Sequence, residues 1–444
     1  MNHAWIRILP KRIRNRIEQR RNLQKIISNT GWLFADKIIR MGCGLVIGVW
    51  VARYLGPTQF GLLNFAGSFV TLFSAIALLG LEGIIVRELV KNPPATAEIL
   101  GTTCFLRLTA GSVAYAMALG TIFVIRPAET ISHALVAIGG MGLLLQAFDT
   151  IDLWYKTRVS SKFVVLAKNG AFLVSVLAKV FLILFNASLI AFAWANLAEI
   201  VLGAIGLALV YRMTGQHIAH WRIDTILIKK LLKEGLPLVL SGIAFMVYLR
   251  VDQVMLGQMA GDREVGIYSA AVRVAEIWYF IPTAIISSVF PDIIHAREIS
   301  KELFLAKLQK LYNLLAFMGY AVAVPTTFLA GWVINLLFGP SFAAAAPTLA
   351  VLVWAGVFAN LGVARNAYLL ATNRSRILLF AVLAGAVSNV LLNLLLIPAF
   401  GSMGAAIASC LSYWFAAHGA CYLYRPLFKA ANMLTRAIFY PRFW

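Results

Sequence analysis

The sequence predicts an all-α polytopic membrane protein with about twelve transmembrane helices in two six-helix lobes. Three observations carry that reading. First, 61% of the 444 residues are hydrophobic, 13% are charged, and the mean hydropathy is +0.82. Soluble domains run nearer half apolar and a quarter charged. Second, twelve apolar stretches divide the chain, each close to the roughly 20 residues that a helix needs to cross a bilayer. Third, Lys and Arg crowd into alternate connections. One side, with both termini, holds 28 of the 39; the other holds three, Arg53, Arg126 and Arg263; eight lie inside apolar stretches. The positive-inside rule then places both termini in the cytoplasm.

The elements follow in order. Residues 1–30 form a basic cytoplasmic segment. Trp5, Ile6, Ile8, Leu9, Ile13 and Ile17 make an apolar side, with Lys11, Arg12, Arg14, Arg16, Arg20 and Arg21 around it. That pattern reads as a helix lying on the inner leaflet. It does not read as a signal peptide, because the apolar stretch after it is too long. The spans are 31–52, 60–80, 99–125, 131–153, 163–185 and 188–212 in an N-lobe (31–225). They continue as 236–258, 265–290, 311–336, 343–371, 376–397 and 402–424 in a C-lobe (226–424), with a cytoplasmic tail at 425–444. Pro282, Pro325 and Pro347 fall inside spans and should loosen the backbone there.

The chain repeats itself. Gly56-Pro57-Thr58-Gln59-Phe60-Gly61-Leu62 joins spans 1 and 2, and Gly261-Asp262-Arg263-Glu264-Val265-Gly266-Ile267 joins spans 7 and 8. Both are G-x4-G followed by an aliphatic residue. Ser161-Lys162 and Ser375-Arg376 are a second echo. An even number of spans per half makes the halves parallel, with a shared cavity near the midplane.

The eight basic residues inside spans are Lys37, Arg40, Arg107, Lys168, Lys179, Arg250, Arg273 and Arg365; the deep acids are Asp36, Glu199, Asp252 and Glu276, with Asp149 and Asp152 nearer a span end. A charge at the bilayer centre costs about 3 kcal/mol even on insertion scales. Such groups face the interior, pair, or line a wet cavity. Asp36 and Arg40 (i,i+4) and Arg273 and Glu276 (i,i+3) are spaced to pair. Arg250 and Asp252 must each look elsewhere. Lys168 and Lys179 share a helix face with no acid on their span, Arg107 and Arg365 have none on theirs, and Arg107 and Lys168 are near enough to an end to snorkel. Eight bases against four deep acids leave an excess of about four. That predicts a cationic cavity for an anionic substrate, built from Lys37, Arg40, Lys168, Lys179, Arg250, Arg273 and Arg365. Asp36, Asp252 and Glu276 are candidate counter-charges for release or ion coupling. Asn389 and Asn393 form a polar face.

Other functions find little support. The net charge of +21 is spread over loops that face anionic phospholipids, so nucleic acid is not expected as a partner. Cys43, Cys104, Cys410 and Cys421 form no CxxC pair, the six histidines are scattered, and no Walker A, HExxH or GxSxG motif occurs. Neither a metal nor a cofactor is expected, nor is enzymatic chemistry. Trp32, Trp50, Trp154, Tyr155, Trp278, Tyr279, Trp332 and Trp354 fit an interfacial aromatic belt.

Several stretches resemble a known family. They are Asn29-Thr30-Gly31-Trp32, Asp36-Lys37-Ile38-Ile39-Arg40 and Trp50-Val51-Ala52-Arg53-Tyr54-Leu55-Gly56-Pro57-Thr58-Gln59-Phe60-Gly61. Arg250-Val251-Asp252-Gln253-Val254-Met255-Leu256-Gly257, then Val265-Gly266-Ile267-Tyr268-Ser269-Ala270-Ala271, opens the second half; Asn389 to Pro398 and Gly404-Ala405-Ala406-Ile407-Ala408 fall in the last spans. Together they resemble the polysaccharide transporters, the O-antigen or repeat-unit flippases of the multidrug/oligosaccharidyl-lipid/polysaccharide exporter superfamily. The resemblance implies a MATE-like alternating-access bundle. It implies transfer of undecaprenyl-diphosphate-linked oligosaccharide to the outer leaflet of a bacterial inner membrane, for O-antigen, capsule or exopolysaccharide synthesis. Lys37, Arg40, Arg250 and Arg273 would then meet the headgroup. A functional monomer, with polysaccharide polymerase or export proteins as partners, is implied too. The alternatives are a drug/cation antiporter of the same superfamily, which would favour an acidic cavity, and a membrane-embedded polymerase or ligase, which would need a long outer loop.

Overall fold

The computed structural model describes residues 21–372 and 374–440. The elements are all helical: α1 (Arg21–Leu78), α2 (Glu82–Lys91), α3 (Thr96–Ile125), α4 (Thr130–Leu145), α5 (Thr150–Thr157), α6 (Lys162–Leu184), α7 (Leu189–Met213), α8 (Thr225–Met259), α9 (Asp262–Ala275), α10 (Phe280–Ile299), α11 (Lys301–Phe338), α12 (Ala345–Ala371), α13 (Ser375–Ala417) and α14 (Phe428–Phe439). Short 3-10 turns link several of them. Among the described residues, ten stretches are long and apolar enough to cross a bilayer. The chain is a multi-pass membrane protein.

Ten stretches rather than twelve arise because two helices run on through a glycine. α13 has 43 residues; straight, it would reach about 65 Å at 1.5 Å per residue, roughly twice the hydrocarbon core. It is not straight. Gly401 has φ 54° and ψ −130°, and the chain doubles back there. A Cβ at Gly404 would strike the Leu396 carbonyl, and one at Gly385 would press on Ala416. Asn389 donates across the same hairpin to Ser412 at 3.1 Å. α1, with 58 residues, breaks likewise at Gly56 (φ 69°, ψ 173°). Gly261 and Gly339 repeat that conformation (φ 89° and 83°, ψ 168° and 178°), a region essentially closed to residues with a Cβ.

The sequence repeat has a direct physical counterpart. A Cβ on Gly61 would collide with the Asp262 carbonyl, and one on Gly266 would collide with the Pro57 carbonyl. Asp262 stands in the second repeat where Pro57 stands in the first, and Gly266 where Gly61 does. The contact is therefore reciprocal, as two equivalent helices make when they cross about a two-fold axis. Small residues let the backbones touch, which is how helices associate where no hydrophobic force drives them together.

Contacts divide the chain into two compact units. The first gathers the described residues up to Ile47 with Ile76–Met117 and Ile138–Leu238; the second gathers Gly48–Ala75, Ala118–Ala137 and the chain from Val239 onward. This division does not follow the lobe boundary at 225 expected from the sequence, because Gly48–Ala75 groups with the second unit. In the first unit α6 packs along α7, and α2 along α5. The second has a core of Phe304, Leu308, Leu311 and Leu315 from α11, Val353, Val357 and Leu361 from α12, and Met433, Leu434 and Ala437 from α14.

Several expectations are corrected here. The segment from 425 is not a loose tail: α14 lies along α11, with Gln309 donating to the Met433 carbonyl (3.0 Å) and Tyr320 to that of Ile438 (2.8 Å). Pro282 and Pro347 sit in the first turns of α10 and α12, where a missing N–H breaks no helical bond; Pro325 is interior to α11. Trp154 and Tyr155 leave the aromatic belt, being buried with Tyr211. The expected interfacial helix over residues 1–20 lies outside the described residues.

The glycine crossing gives a stability test. Gly61→Leu and Gly266→Leu should each cost about 1–3 kcal/mol through overpacking against backbone. Gly67→Ala, with no neighbour within 4 Å of the new Cβ, should be neutral or slightly stabilising. Thermal unfolding midpoints of the purified protein in detergent check all three.

Candidate functional site

In the first unit the buried bases meet acids supplied by neighbouring helices. Arg40 on α1 bonds Asp36 one turn back at 3.0 Å and reaches Glu199 on α7 at 3.5 Å. Lys179 on α6 approaches the other oxygen of Glu199 at 3.7 Å. Lys168, three turns earlier on α6, binds Asp149 at 2.8 Å and Asp152 at 3.5 Å. The Asp36–Arg40 pair is as expected. No acid lies on the span of Lys168 and Lys179, as the sequence shows, but neighbouring helices supply Asp149, Asp152 and Glu199.

Between these groups lies a cavity of about 180 Å³, lined by Arg40, Gln146, Asp149, Lys168 and Glu199 with Leu145, Phe148, Ile200 and Leu207. Arg107 on α3 does not snorkel. It is 2% exposed, and its Nε and Nη1 have no hydrogen-bond partner. Lys37 is exposed and makes no ion pair among the described residues. In this unit five in-span bases face the four acids Asp36, Asp149, Asp152 and Glu199. The local excess is one, not a broad cationic field.

The second unit is arranged differently. Asp252 on α8 is 7% exposed and fully engaged. It accepts from the Tyr268 hydroxyl, from Ser409 at 3.2 Å and from the backbone N–H of Gln253 at 2.8 Å. Gln253 in turn accepts from Ser68 at 2.5 Å. Beside Asp252 is a void of about 10 Å³, bounded by Tyr268, Glu276, Tyr279, Ser409 and Tyr413, the size of one water.

Glu276 pairs with Arg250 at 3.8 Å rather than with Arg273. The expected i,i+3 pair fails because α9 ends at Ala275 and Glu276 opens a 3-10 turn. Arg273 is left without a carboxylate within 4 Å among the described residues. Its guanidinium stands 5.4 Å from the centre of the Phe60 ring and lies directly on the backbone of Gly48, where any Cβ would block it. Gly48 is thus a seat for Arg273, which explains a helical glycine that otherwise costs about 1 kcal/mol relative to Ala.

Arg365 is 4% exposed. It donates to the Ala416 carbonyl and to Asn366 at 2.9 Å. The carbonyl belongs to the last turn of α13, so Arg365 completes a helix C-terminus. Asn393 and Asn389 bond each other at 2.9 Å and hold the hairpin of α13.

Sequence reasoning passed over Arg126. It is 6% exposed and bridges three segments of the second unit. Its Nη1 lies 2.8 Å from Glu129 and 2.9 Å from Asp262, its Nη2 donates to the Gly257 carbonyl at 2.7 Å, and the guanidinium covers Phe65 at 3.8 Å. Burial opposes ionisation of Glu129, but the Ser132 hydroxyl and Arg126 outweigh it and hold the carboxyl below its ordinary range. The available signal was a lone base in a short connection otherwise poor in positive charge. Glu199, the one acid of its span, was likewise set aside as a site residue although it ties Arg40 to Lys179.

The chain matches the family model described as "Polysaccharide biosynthesis protein" over residues 26–297. It is 25% identical over 401 residues to a probable flippase, AglR, of Haloferax volcanii, covering 88% of this chain and 81% of that protein. Its fold resembles that of a multidrug resistance MATE family transporter of the MOP superfamily in an inward-facing conformation, with TM-score 0.72, 15% identity, and 91% and 98% of the two chains covered. It also resembles the lipid II flippase MurJ in an inward closed conformation, with TM-score 0.69, 12% identity, and 93% and 91% covered.

The Arg126 cluster predicts a charge and pH effect. Arg126→Ala leaves Glu129 and Asp262 facing each other without their cation and should cost about 3 kcal/mol, the scale for breaking a buried pair. Because the folded Glu129 pKa is depressed, its stabilisation is present above the ordinary carboxyl range and is lost as pH falls through the folded pKa. Thermal midpoints measured from neutral to acidic pH should fall for the wild type in that window, and Arg126→Ala should flatten that part of the curve.

Proposed function

The chain belongs to the polysaccharide biosynthesis protein family, and from that premise we propose that it is a flippase for lipid-linked oligosaccharides. The cargo proposed is an undecaprenyl-diphosphate-linked repeat unit moved from the cytoplasmic to the outer leaflet of a bacterial inner membrane, with both termini cytoplasmic, for O-antigen, capsule or exopolysaccharide synthesis. The protein acts as a transporter and not as an enzyme. Its fold likeness to transporters and its similarity to a probable flippase support this reading.

The observation that carries it is the state of Arg250 and Arg273. Glu276 lies 3.8 Å from Arg250, while Arg273, with no carboxylate within 4 Å among the described residues, rests on an aromatic face and a glycine. A guanidinium held inside a membrane protein with no carboxylate is poised for an anion, and its planar fork suits phosphate oxygens. We assign the diphosphate to this pair. Arg40, Lys168 and Lys179 of the first unit are already neutralised, so they contribute less to anion binding than their number suggests. Lys37 makes no ion pair among the described residues and is kept in the proposed headgroup role. Asp252, Glu276 and Asp36 are the carboxylates available to take up a proton or cation during the cycle.

The test is transport in proteoliposomes with a fluorescent undecaprenyl-diphosphate oligosaccharide, leaflet occupancy being read with an impermeant quencher. Protein-dependent movement is the expected result. Its absence with folded protein and native glycan, together with drug efflux, would establish the antiporter instead. Arg250→Ala and Arg273→Ala should lower the rate at least about tenfold, the scale of one lost charged hydrogen bond, at unchanged membrane abundance. Gly48→Val should reproduce Arg273→Ala by unseating the guanidinium. Arg365→Ala should reduce abundance and stability rather than the rate per folded molecule.

A further inference from the structure

The first unit's cavity has a chemistry unlike that of the Arg250–Arg273 pair. Its lining carries two cations, Arg40 and Lys168, and two carboxylates, Asp149 and Glu199. Each cation already lies within 3.5 Å of a carboxylate. A phosphate entering here would meet like charge from two sides. A hydroxyl meets no such conflict, because it donates to a carboxylate and accepts from a neighbouring ammonium or guanidinium.

Three further observations point the same way. Gln146 lines the cavity, and its buried Oε1 has no hydrogen-bond partner, where buried acceptors are normally satisfied. Phe148, Leu145, Ile200 and Leu207 supply an apolar wall for the C–H face of a ring. The volume of about 180 Å³ is well above the roughly 10–15 Å³ that one water needs on that measure and leaves room for a sugar ring. Gly203 and Ala204 on α7 keep that room open.

We propose that this cavity is a saccharide subsite that takes one sugar ring of the cargo, its hydroxyls bridging Asp149, Glu199, Lys168 and Arg40, its amide or hydroxyl hydrogen meeting Gln146, and its apolar face lying on Phe148. The assignment rests on the flippase reading, which supplies the glycan.

The experiment measures binding of two probes to the full chain in nanodiscs: undecaprenyl diphosphate, and undecaprenyl diphosphate bearing one N-acetylglucosamine. The wild type should hold the sugar-bearing lipid about tenfold more tightly. Gln146→Leu and Phe148→Ala should bring that ratio to about one while leaving affinity for the sugar-free lipid within about twofold. Gly203→Val adds a side chain to the α7 lining of the cavity and should do the same, so the result does not hang on either side chain. Arg273→Ala should weaken both lipids alike. The subsite is overturned if the wild type does not distinguish the probes, or if the cavity variants keep the ratio. If neither lipid binds the wild type, the flippase reading falls and the subsite falls with it.

Discussion

A charge inside a bilayer must be answered by another group, and most of this structure can be read as the answer. The cost of an unanswered charge is about 3 kcal/mol or more, comparable with the net stability that any one helix contributes. The first unit meets it by threading acids from α1, α7 and the α4–α5 junction among bases on α1 and α6. Glu199 is the clearest case, since its two oxygens serve Arg40 and Lys179 on different helices. Helix positions there are tied by these pairs as well as by packing. In the second unit Asp252 is answered by hydroxyls and a backbone N–H, which holds α8, α9 and the second arm of α13 together.

Glycine supplies the second constraint. Apolar side chains gain little from leaving lipid for protein, so helices associate through close approach and polar contact. The reciprocal Gly61 and Gly266 contacts bring backbone against backbone, and Gly56, Gly261, Gly339 and Gly401 turn the chain where a Cβ would not fit. Gly48 serves another purpose. It makes a place for a guanidinium, so a packing residue and the proposed anion site are one feature.

How far the sequence could be read depended on whether a relation ran along one helix or across two. Along a helix, spacing is enough: Asp36 and Arg40 were expected to pair and do. The twofold repeat was legible because its glycines are conspicuous, and the helical membrane class because composition and charge asymmetry are. Across helices, spacing is silent. Nothing in the order of residues brings Asp149 to Lys168 or Glu199 to Lys179, and the count of deep acids therefore left a cationic excess larger than the first unit has. Arg273 and Glu276 failed for a local reason, the end of α9 between them. Arg126 was hidden because, Glu129 apart, its partners Gly257, Asp262 and Phe65 come from distant parts of the chain.

The contrast between Arg273 and Arg365 separates a charge that answers a helix end from the one proposed to meet the cargo. Both are in-span arginines without a carboxylate within 4 Å among the described residues. Arg365 is spent on the last carbonyls of α13, whose own partners ended with the helix; removing it uncovers backbone. Arg273 makes no hydrogen bond to backbone among the described residues and rests against a ring and a glycine. On the flippase reading proposed above, the cost of holding that guanidinium inside a membrane is offset by a cargo that comes and goes. An amphiphile with a diphosphate and a sugar presents both an anion for such a group and hydroxyls for a neutralised cavity. The two units offer those two chemistries separately, the guanidinium without a carboxylate in one and the balanced polar lining in the other. A small organic cation would need neither.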